Sequence, residues 1–182
     1  MFAGFAARVS WSDRRIVNVA WVRVADILDE AGLAAMPEQK LAVKLEIDTR
    51  PPQGATLRTT VVQRHVLFAV RAHMVGSLMA GKVHALWTRR YPKGRDWFDL
   101  IWYRSQTPRI EPNLELLAAA LLQTHPPLAA RAVLWRGAGA DRAHRLDPER
   151  LKADVIPFLE RPTDAALLTP AALADLLEPG QA

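Results

Sequence analysis

Between Leu41 and Asp48, the aliphatic residues Leu41, Val43, Leu45 and Ile47 alternate with Ala42, Lys44, Glu46 and Asp48. A period of two marks a strand with one face buried, because successive side chains of an extended chain point to opposite sides. Arg50-Pro51-Pro52 closes the run, since proline has no amide to give to a ladder. Upstream, the β-branched stretch Ile16 to Val24 reads as a second strand, running into ADILDEAGL, which has helical spacing and a stop at Gly32. Downstream, Thr59 to Val70 reads as a third strand, paired with the previous one through the PPQGA turn. The strand at Ile16 to Val24 has no strand before it in this reading, so the sheet keeps an open apolar edge. That predicts a chain of low stability, or one that associates.

From Ser77 the period changes to that of helices: Ser77 to Arg90, Arg95 to Tyr103, Asn113 to Gln123, Pro148 to Leu159 and Pro170 to Leu177. Ser77, Asn113, Asp147 and Thr169 stand where a side-chain oxygen caps the free amides of a first turn. Pro148 and Pro170 stand where a missing N–H is no loss. Arg131 to Leu146, with Gly137, Gly139 and several charges, reads as a long surface loop. Strands first and helices second describe an α+β chain: a small mixed or antiparallel sheet region over residues 1–74 and a helical block over 75–182.

The function classes narrow by composition. No cysteine is present, which removes disulfides, thiolate-bound zinc and thiol nucleophiles. The longest apolar run, Leu116 to Leu122, is far below the roughly 18 residues of a membrane span, so the expected setting is cytoplasmic. Glycine-rich dinucleotide, P-loop and GxSxG patterns are missing, and the five histidines lack zinc spacing. A net charge of +5 suits anionic partners such as RNA or nucleotides, or is simply a solvated arginine-rich surface.

Three places bear chemistry. On the strand, Lys44, Glu46 and Asp48 share one face about 7 Å apart, either as hard oxygen ligands for Mg²⁺ or as a solvent-facing row. In SLMAGKVHALWTRR, Lys82 falls within the apolar stripe of Leu78, Met79, Val83, Leu86 and Trp87, and either snorkels to water or holds an anion in a cleft. In RRYPKGRDWFDLIWY, Arg89, Arg90, Lys93 and Arg95 surround a tight turn ahead of Asp96, with Asp99 one turn later on the same side. Trp97, Leu100 and Ile101 form that helix's packing face, and Asp96 also suits a helix amino end.

Two segments, VKLEIDTRPPQGA at 43–55 and SLMAGKVHALWTRRYPKGRDWFDLIWY at 77–103, resemble the central and carboxyl-terminal motifs of the AbiEii/AbiGii-type nucleotidyltransferase toxins. PNLELLAAALLQT at 112–124 and DVIPFLERPTDAALLT at 154–169 extend the resemblance over nearly the whole chain from Val17. The resemblance implies a polymerase-β-like fold, here partial, with an added helical domain. The implied setting is an abortive-infection or toxin–antitoxin system of phage defence, with an antitoxin encoded nearby. It implies Mg²⁺-dependent transfer of a nucleotide from an NTP to an RNA acceptor, a tRNA end by preference. By position, Lys82, Asp96 and Glu46 become the catalytic set. Lys44, Lys82, Lys93 and Arg95 contact the nucleotide phosphates, and Glu46 and Asp48 hold the metal. The family's first motif, a glycine-serine or glycine-glycine turn with an Asp-x-Asp-like pair downstream, is not matched, since residues 1–10 carry only Gly4 and no carboxylate. The expectation is therefore a nucleotidyltransferase that is amino-terminally incomplete, the alternative being a non-catalytic module, or decayed remnant, that binds RNA or the antitoxin.

Overall fold

The structure is a computed structural model, and it describes residues 7–12, 17–24, 28, 31–34, 36 and 39–178. The chain divides into two compact units, 1–51 and 52–182, so its second hairpin groups with the helices, whereas the sequence reading sets a boundary at 74/75. Together the elements make an α+β protein.

The first unit is an antiparallel sheet of three strands, β1 (Ala7–Ser12), β2 (Val17–Val24) and β3 (Leu41–Asp48), in that spatial order. The strand expected to open the sheet without a partner is its centre: β1 pairs along all of its length with β2, Trp11 opposite Ala20 and Ser10 opposite Trp21. β1 is short and carries Arg8, Ser10 and Ser12, so its β character is weak in sequence, and the pairing supplies what propensity does not. β2 therefore has no open edge, and the edges of this sheet among the described residues are β1 and β3. β3 is the strand that its alternation predicts, but its aliphatic face is not buried: Leu41, Val43, Leu45 and Ile47 are 40 to 47% exposed. The pattern gave the period correctly and the burial incorrectly. Among the described residues of this unit only Ala20, on the central strand, is buried. The helix expected over 25–33 lies mostly outside the described residues. Gly32 does take the left-handed φ of +66° expected of a stop.

In the second unit, the run Thr59 to Val70 is not one strand but most of a hairpin, β4 (Leu57–Gln63) and β5 (Leu67–His73), with Arg64-His65-Val66 at its turn. The partner of β3 is β2, and that of β4 is β5. Helices follow: α1 (Val75–Thr88), α2 (Gly94–Ser105), α3 (Leu114–Thr124), a single turn α4 (Pro126–Ala129), α5 (Trp135–Ala143), α6 (Pro148–Val155) and α7 (Pro170–Leu177). Their core is continuous, with Met79 and Val83 of α1, Trp97 and Leu100 of α2, Leu117 and Leu121 of α3, Leu151 and Val155 of α6 and Leu173 and Leu177 of α7 almost completely buried. Burying a Leu or Met side chain contributes about 1.5 to 3 kcal/mol, so this block carries most of the unit's stability.

Three caps act as read from sequence: Asn113 accepts from the Leu116 amide, Asp147 from Glu149 and Arg150, and Thr169 from Ala172. Ser77 does not cap. α1 starts two residues earlier, after Met74, and the buried Ser77 hydroxyl instead meets the Thr56 amide at 3.0 Å, the Thr56 hydroxyl at 2.9 Å and Asn113 Nδ2 at 3.3 Å. It fastens the hairpin base to two helix starts. The helical run from Pro148 keeps α-helical form only to Val155 and continues as a 3₁₀ turn, Ile156–Phe158.

Arg131 to Leu146 is no surface loop. It holds a 3₁₀ turn, Ala132–Leu134, and α5, and it buries Ala132, Trp135, Gly139, Ala143 and Leu146. The glycines that argue for a loop have different work: a β-carbon at Gly139 would lie 3.0 Å from Leu177 Cδ1, so the missing side chain lets α5 approach α7. The buried stripe of α1 also differs in detail. Ser77, Met79, Ala80, Val83 and Leu86 are buried, while Leu78 is half exposed.

Candidate functional site

Lys82 projects from the middle of α1 toward the first two turns of α2. Its Nζ lies 2.5 Å from Asp99 Oδ2 and 3.4 Å from Asp96 Oδ1. Asp96 and Asp99 are three residues apart, which places them on one helix face, where a single ammonium meets both. Arg89, just past the end of α1, pairs through Nη1 with the other oxygen of Asp96. The Asp96 side chain is only 8% exposed, and each of its oxygens is occupied by a cation. Its burial is chemically consistent, because a desolvated carboxylate is tolerated when charged donors satisfy it.

Burial pulls the Lys82 ammonium down, but the hydrogen bond and charge of Asp99, with the charge of Asp96, outweigh that and hold its pKa above the ordinary lysine value. Lys82 is therefore a charged group held at a fixed place. The ammonium is bound by two carboxylates while the side chain stays 36% exposed.

A cavity of about 590 Å³ opens over this cluster. Its polar lining is Lys82, Arg89, Lys93, Arg95, Asp96 and Asp99, four cations against two carboxylates. Phe98, Val155, Phe158 and Leu159 form an apolar wall. Arg95 lies with its guanidinium 4.4 Å above the Phe158 ring, a contact that fixes a long side chain at the cavity rim. The volume is within the usual range for small-molecule sites, and the excess positive charge suits a polyanion.

The turn that sets these groups in place depends on Gly94, the first residue of α2. A β-carbon there would stand 2.0 Å from the Leu151 carbonyl oxygen and 2.9 Å from the Leu151 carbonyl carbon of α6. Backbone meets backbone at this point, so Lys93-Gly94-Arg95 is a structural requirement as well as a basic turn.

The residues singled out from sequence thus fall into two groups. Lys82, Lys93, Arg95 and Asp96 line one cavity, joined by Arg89 and Asp99 of the same basic turn and helix, which the family resemblance leaves without a role. The signal for Arg89 was its place seven residues before Asp96, one helix end facing the next helix start. Lys44, Glu46 and Asp48 stand on β3 of the other unit. Lys44 Nζ is 2.5 Å from Glu46 Oε1 and 5.9 Å from the centre of the Trp21 ring, and Asp48 Oδ1 accepts the Arg50 amide at 2.9 Å. Glu46 and Asp48 remain exposed and two residues apart on one strand face, a donor pair that suits Mg²⁺ when substrate phosphates complete its shell. Among the described residues no cluster of three or more acidic, histidine or cysteine side chains could hold a metal by itself. Among them, too, no helix is long and apolar enough to cross a membrane.

No match to the chain is found among curated proteins or solved structures. A match to a protein-family model is found, and it spans residues 5–172, taking in the strand row and every residue of the cavity. Nucleotidyltransferases of this kind use an NTP and a divalent metal, and a type IV system pairs the toxin with a cognate antitoxin. The chain belongs to the nucleotidyl transferase AbiEii toxin family of type IV toxin–antitoxin systems.

Proposed function

We propose that this protein is the toxin that transfers a nucleotide from an NTP to an RNA acceptor, a tRNA end by preference, with the Lys82 cavity as the triphosphate site. The observation that carries the reading is the cavity's charge: four cations against two carboxylates, with Lys82 and Arg89 both held by the buried Asp96. In the reaction an acceptor hydroxyl oxygen bonds to the α-phosphorus as the bond from that phosphorus to the α–β bridging oxygen breaks. Pyrophosphate leaves with the bonding electrons, and the proton of the hydroxyl passes to solvent water. Charge grows on the leaving phosphates, and Lys82, Arg89, Lys93 and Arg95 are the groups placed to neutralise it. Asp96 acts through them: with both oxygens engaged, it orients Lys82 and Arg89. Glu46 and Asp48 are the carboxylates that would hold Mg²⁺, whose chemistry in phosphoryl transfer is to supply positive charge.

The test is incorporation of label into RNA from an NTP radioactive at the α-phosphate, in Mg²⁺. Lys82→Ala and Asp96→Ala should each lower it at least about tenfold, a loss of roughly 1.4 kcal/mol of transition-state stabilisation. Asp99→Ala should cost less, because Asp99 is 44% exposed and solvent replaces part of what it gives. A second reading has its own observation: the basic turn Arg89-Arg90-Tyr91-Pro92-Lys93-Gly94-Arg95, whose cations suit RNA or an acidic antitoxin without any chemistry. It makes the chain a non-catalytic module that binds RNA or the antitoxin. RNA binding without any incorporation of label would favour that reading over transfer.

A further inference from the structure

The turn Arg89-Arg90-Tyr91-Pro92-Lys93 is a wall with two sides. Arg89 and Lys93 line the Lys82 cavity, while Trp87, Arg90 and Pro92 line a second cavity of about 500 Å³. Its other charged residues are Arg131, Arg142 and Arg145 from the segment that buries α5, and Asp141. Four arginines face one carboxylate, and among the described residues none of the four is ion-paired. Arg142 is structural, giving Nη2 to the Arg89 carbonyl at 2.6 Å and Nη1 to the Trp87 carbonyl at 3.4 Å, so it clamps the end of α1 against α5. Arg90, Arg131 and Arg145 are exposed and unspent. Two further donors in the lining, Trp87 Nε1 and Arg142 Nε, are buried and unpartnered within the protein. Next to the cavity, exposed Tyr91 stands between two guanidiniums, Arg90 at 5.3 Å and Arg150 at 5.9 Å from its ring centre.

We propose that this second cavity and Tyr91 bind the RNA strand itself, the arginines on its backbone phosphates and the tyrosine ring against a base. Concentrated unpaired guanidiniums call for a polyanion, and a docked acidic protein would use them equally well. The exposed aromatic ring between cations distinguishes the two partners, since stacking on a π-face is what single-stranded nucleic acid adds to charge. The shared wall then lets one bound strand place its end beside the triphosphate site. The inference deepens the transfer reading and rests on it for the strand's purpose, but binding can be measured without NTP and without turnover.

The experiment is fluorescence anisotropy of the full chain with a labelled 12-nucleotide single-stranded RNA, free of NTP, over 50 to 200 mM salt. Each phosphate contact contributes about 0.7 to the slope of log affinity against log salt, worth about fivefold at 0.1 M relative to 1 M. Arg131→Gln with Arg145→Gln should therefore flatten the slope by about 1.4 and weaken binding about 25-fold at 0.1 M salt. Tyr91→Ala should weaken binding without changing the slope. Arg161→Gln, an arginine 79% exposed on the surface and paired with Asp164, should leave both unchanged. A thermal melt of each variant checks folding, and the slope of a single Arg131→Gln variant, expected to change by about 0.7, covers the case of a misfolded double variant. Absence of RNA binding by the wild type, or an unchanged slope in the arginine variants, overturns the proposal. With labelled poly-glutamate as a parallel probe, arginine variants that lose poly-glutamate binding while keeping wild-type RNA affinity also overturn it. Failure of label incorporation with these binding results intact would refute the transfer reading alone.

Discussion

Replacing Gly94 with alanine sets two known effects against each other. Alanine favours a helix over glycine by at most about 1 kcal/mol, and Gly94 opens α2, so propensity alone predicts a gain in stability. Packing predicts the reverse. The new β-carbon would stand 2.0 Å from the Leu151 oxygen, where carbon and oxygen normally come no closer than about 3.3 Å, so α2 and α6 must separate by about 1.3 Å. No side chain can rotate away, because the obstructing atoms are backbone. Overpacking of this kind costs about 3 kcal/mol, leaving a net loss of about 2 kcal/mol, or about 4 to 8 °C in Tm for a chain of this length. Urea unfolding followed by tryptophan fluorescence reads it, since Trp97 is fully buried on α2. Gly81→Ala and Gly137→Ala are the comparisons: both lie within helices, and a β-carbon at either meets nothing within 4 Å, so they should stabilise by up to about 1 kcal/mol. A Gly94→Ala protein as stable as the wild type or more so would refute the close approach and, with it, the reason given for the shape of the Lys93-Gly94-Arg95 turn.

The remaining predictions are these. Arg104, 1% exposed in its side chain, donates to the Leu176 and Ile110 carbonyls and pairs with Glu111; Arg104→Ala should cost about 3 kcal/mol in chemical denaturation, the low end for such a pair because Glu111 is half exposed and resolvates. Burial, then the charge of His125, hold the pKa of His84 below its ordinary value, despite a hydrogen bond to the Ala120 carbonyl that favours the proton. The unfolded chain then binds more protons between the folded value and 6.5, so the contribution of His84 is full above pH 6.5 and falls on acidification; in pH-dependent melts His84→Gln should remove that part of the decline. Lys82 runs the other way: its pKa is raised, so the stability it adds is full below 10.5 and lost as pH climbs through the higher folded value, and Lys82→Met should erase that alkaline step. Glu46→Gln with Asp48→Asn should raise the Mg²⁺ concentration needed for half-maximal label incorporation, without changing the melt.

What was legible from the sequence was the local part. Alternation at 41–48, caps at Asn113, Asp147 and Thr169, and prolines at 148 and 170 each state a backbone preference within a few residues, and the strand and helices follow. The Lys82 anomaly was legible too, as a cation inside an apolar stripe that either snorkels to water or holds an anion. The partner was not. That Asp96 and Asp99 both meet Lys82 depends on how α1 packs against α2 through Met79, Val83, Trp97 and Leu100 of the shared core, which no local pattern states. Tertiary contact likewise decided Gly139, read as a loop residue and used as a groove for Leu177, and Ser77, read as a cap and used as a buried fastener. The hairpin at 57–73 was missed because Arg64-His65-Val66 lacks the glycine or asparagine that usually marks a tight turn.

The central claim is that the Lys82 cavity receives the triphosphate of an NTP, and direct binding tests it with the least machinery. In isothermal titration of the full chain with a non-hydrolysable NTP in Mg²⁺, the wild type should bind one equivalent and Lys82→Ala should bind at least tenfold more weakly. Asp96→Asn should weaken binding as well, since it releases Lys82 and Arg89 from their anchor. Equal affinity in wild type and Lys82→Ala, or no binding by a wild type that melts cooperatively, would contradict the assignment.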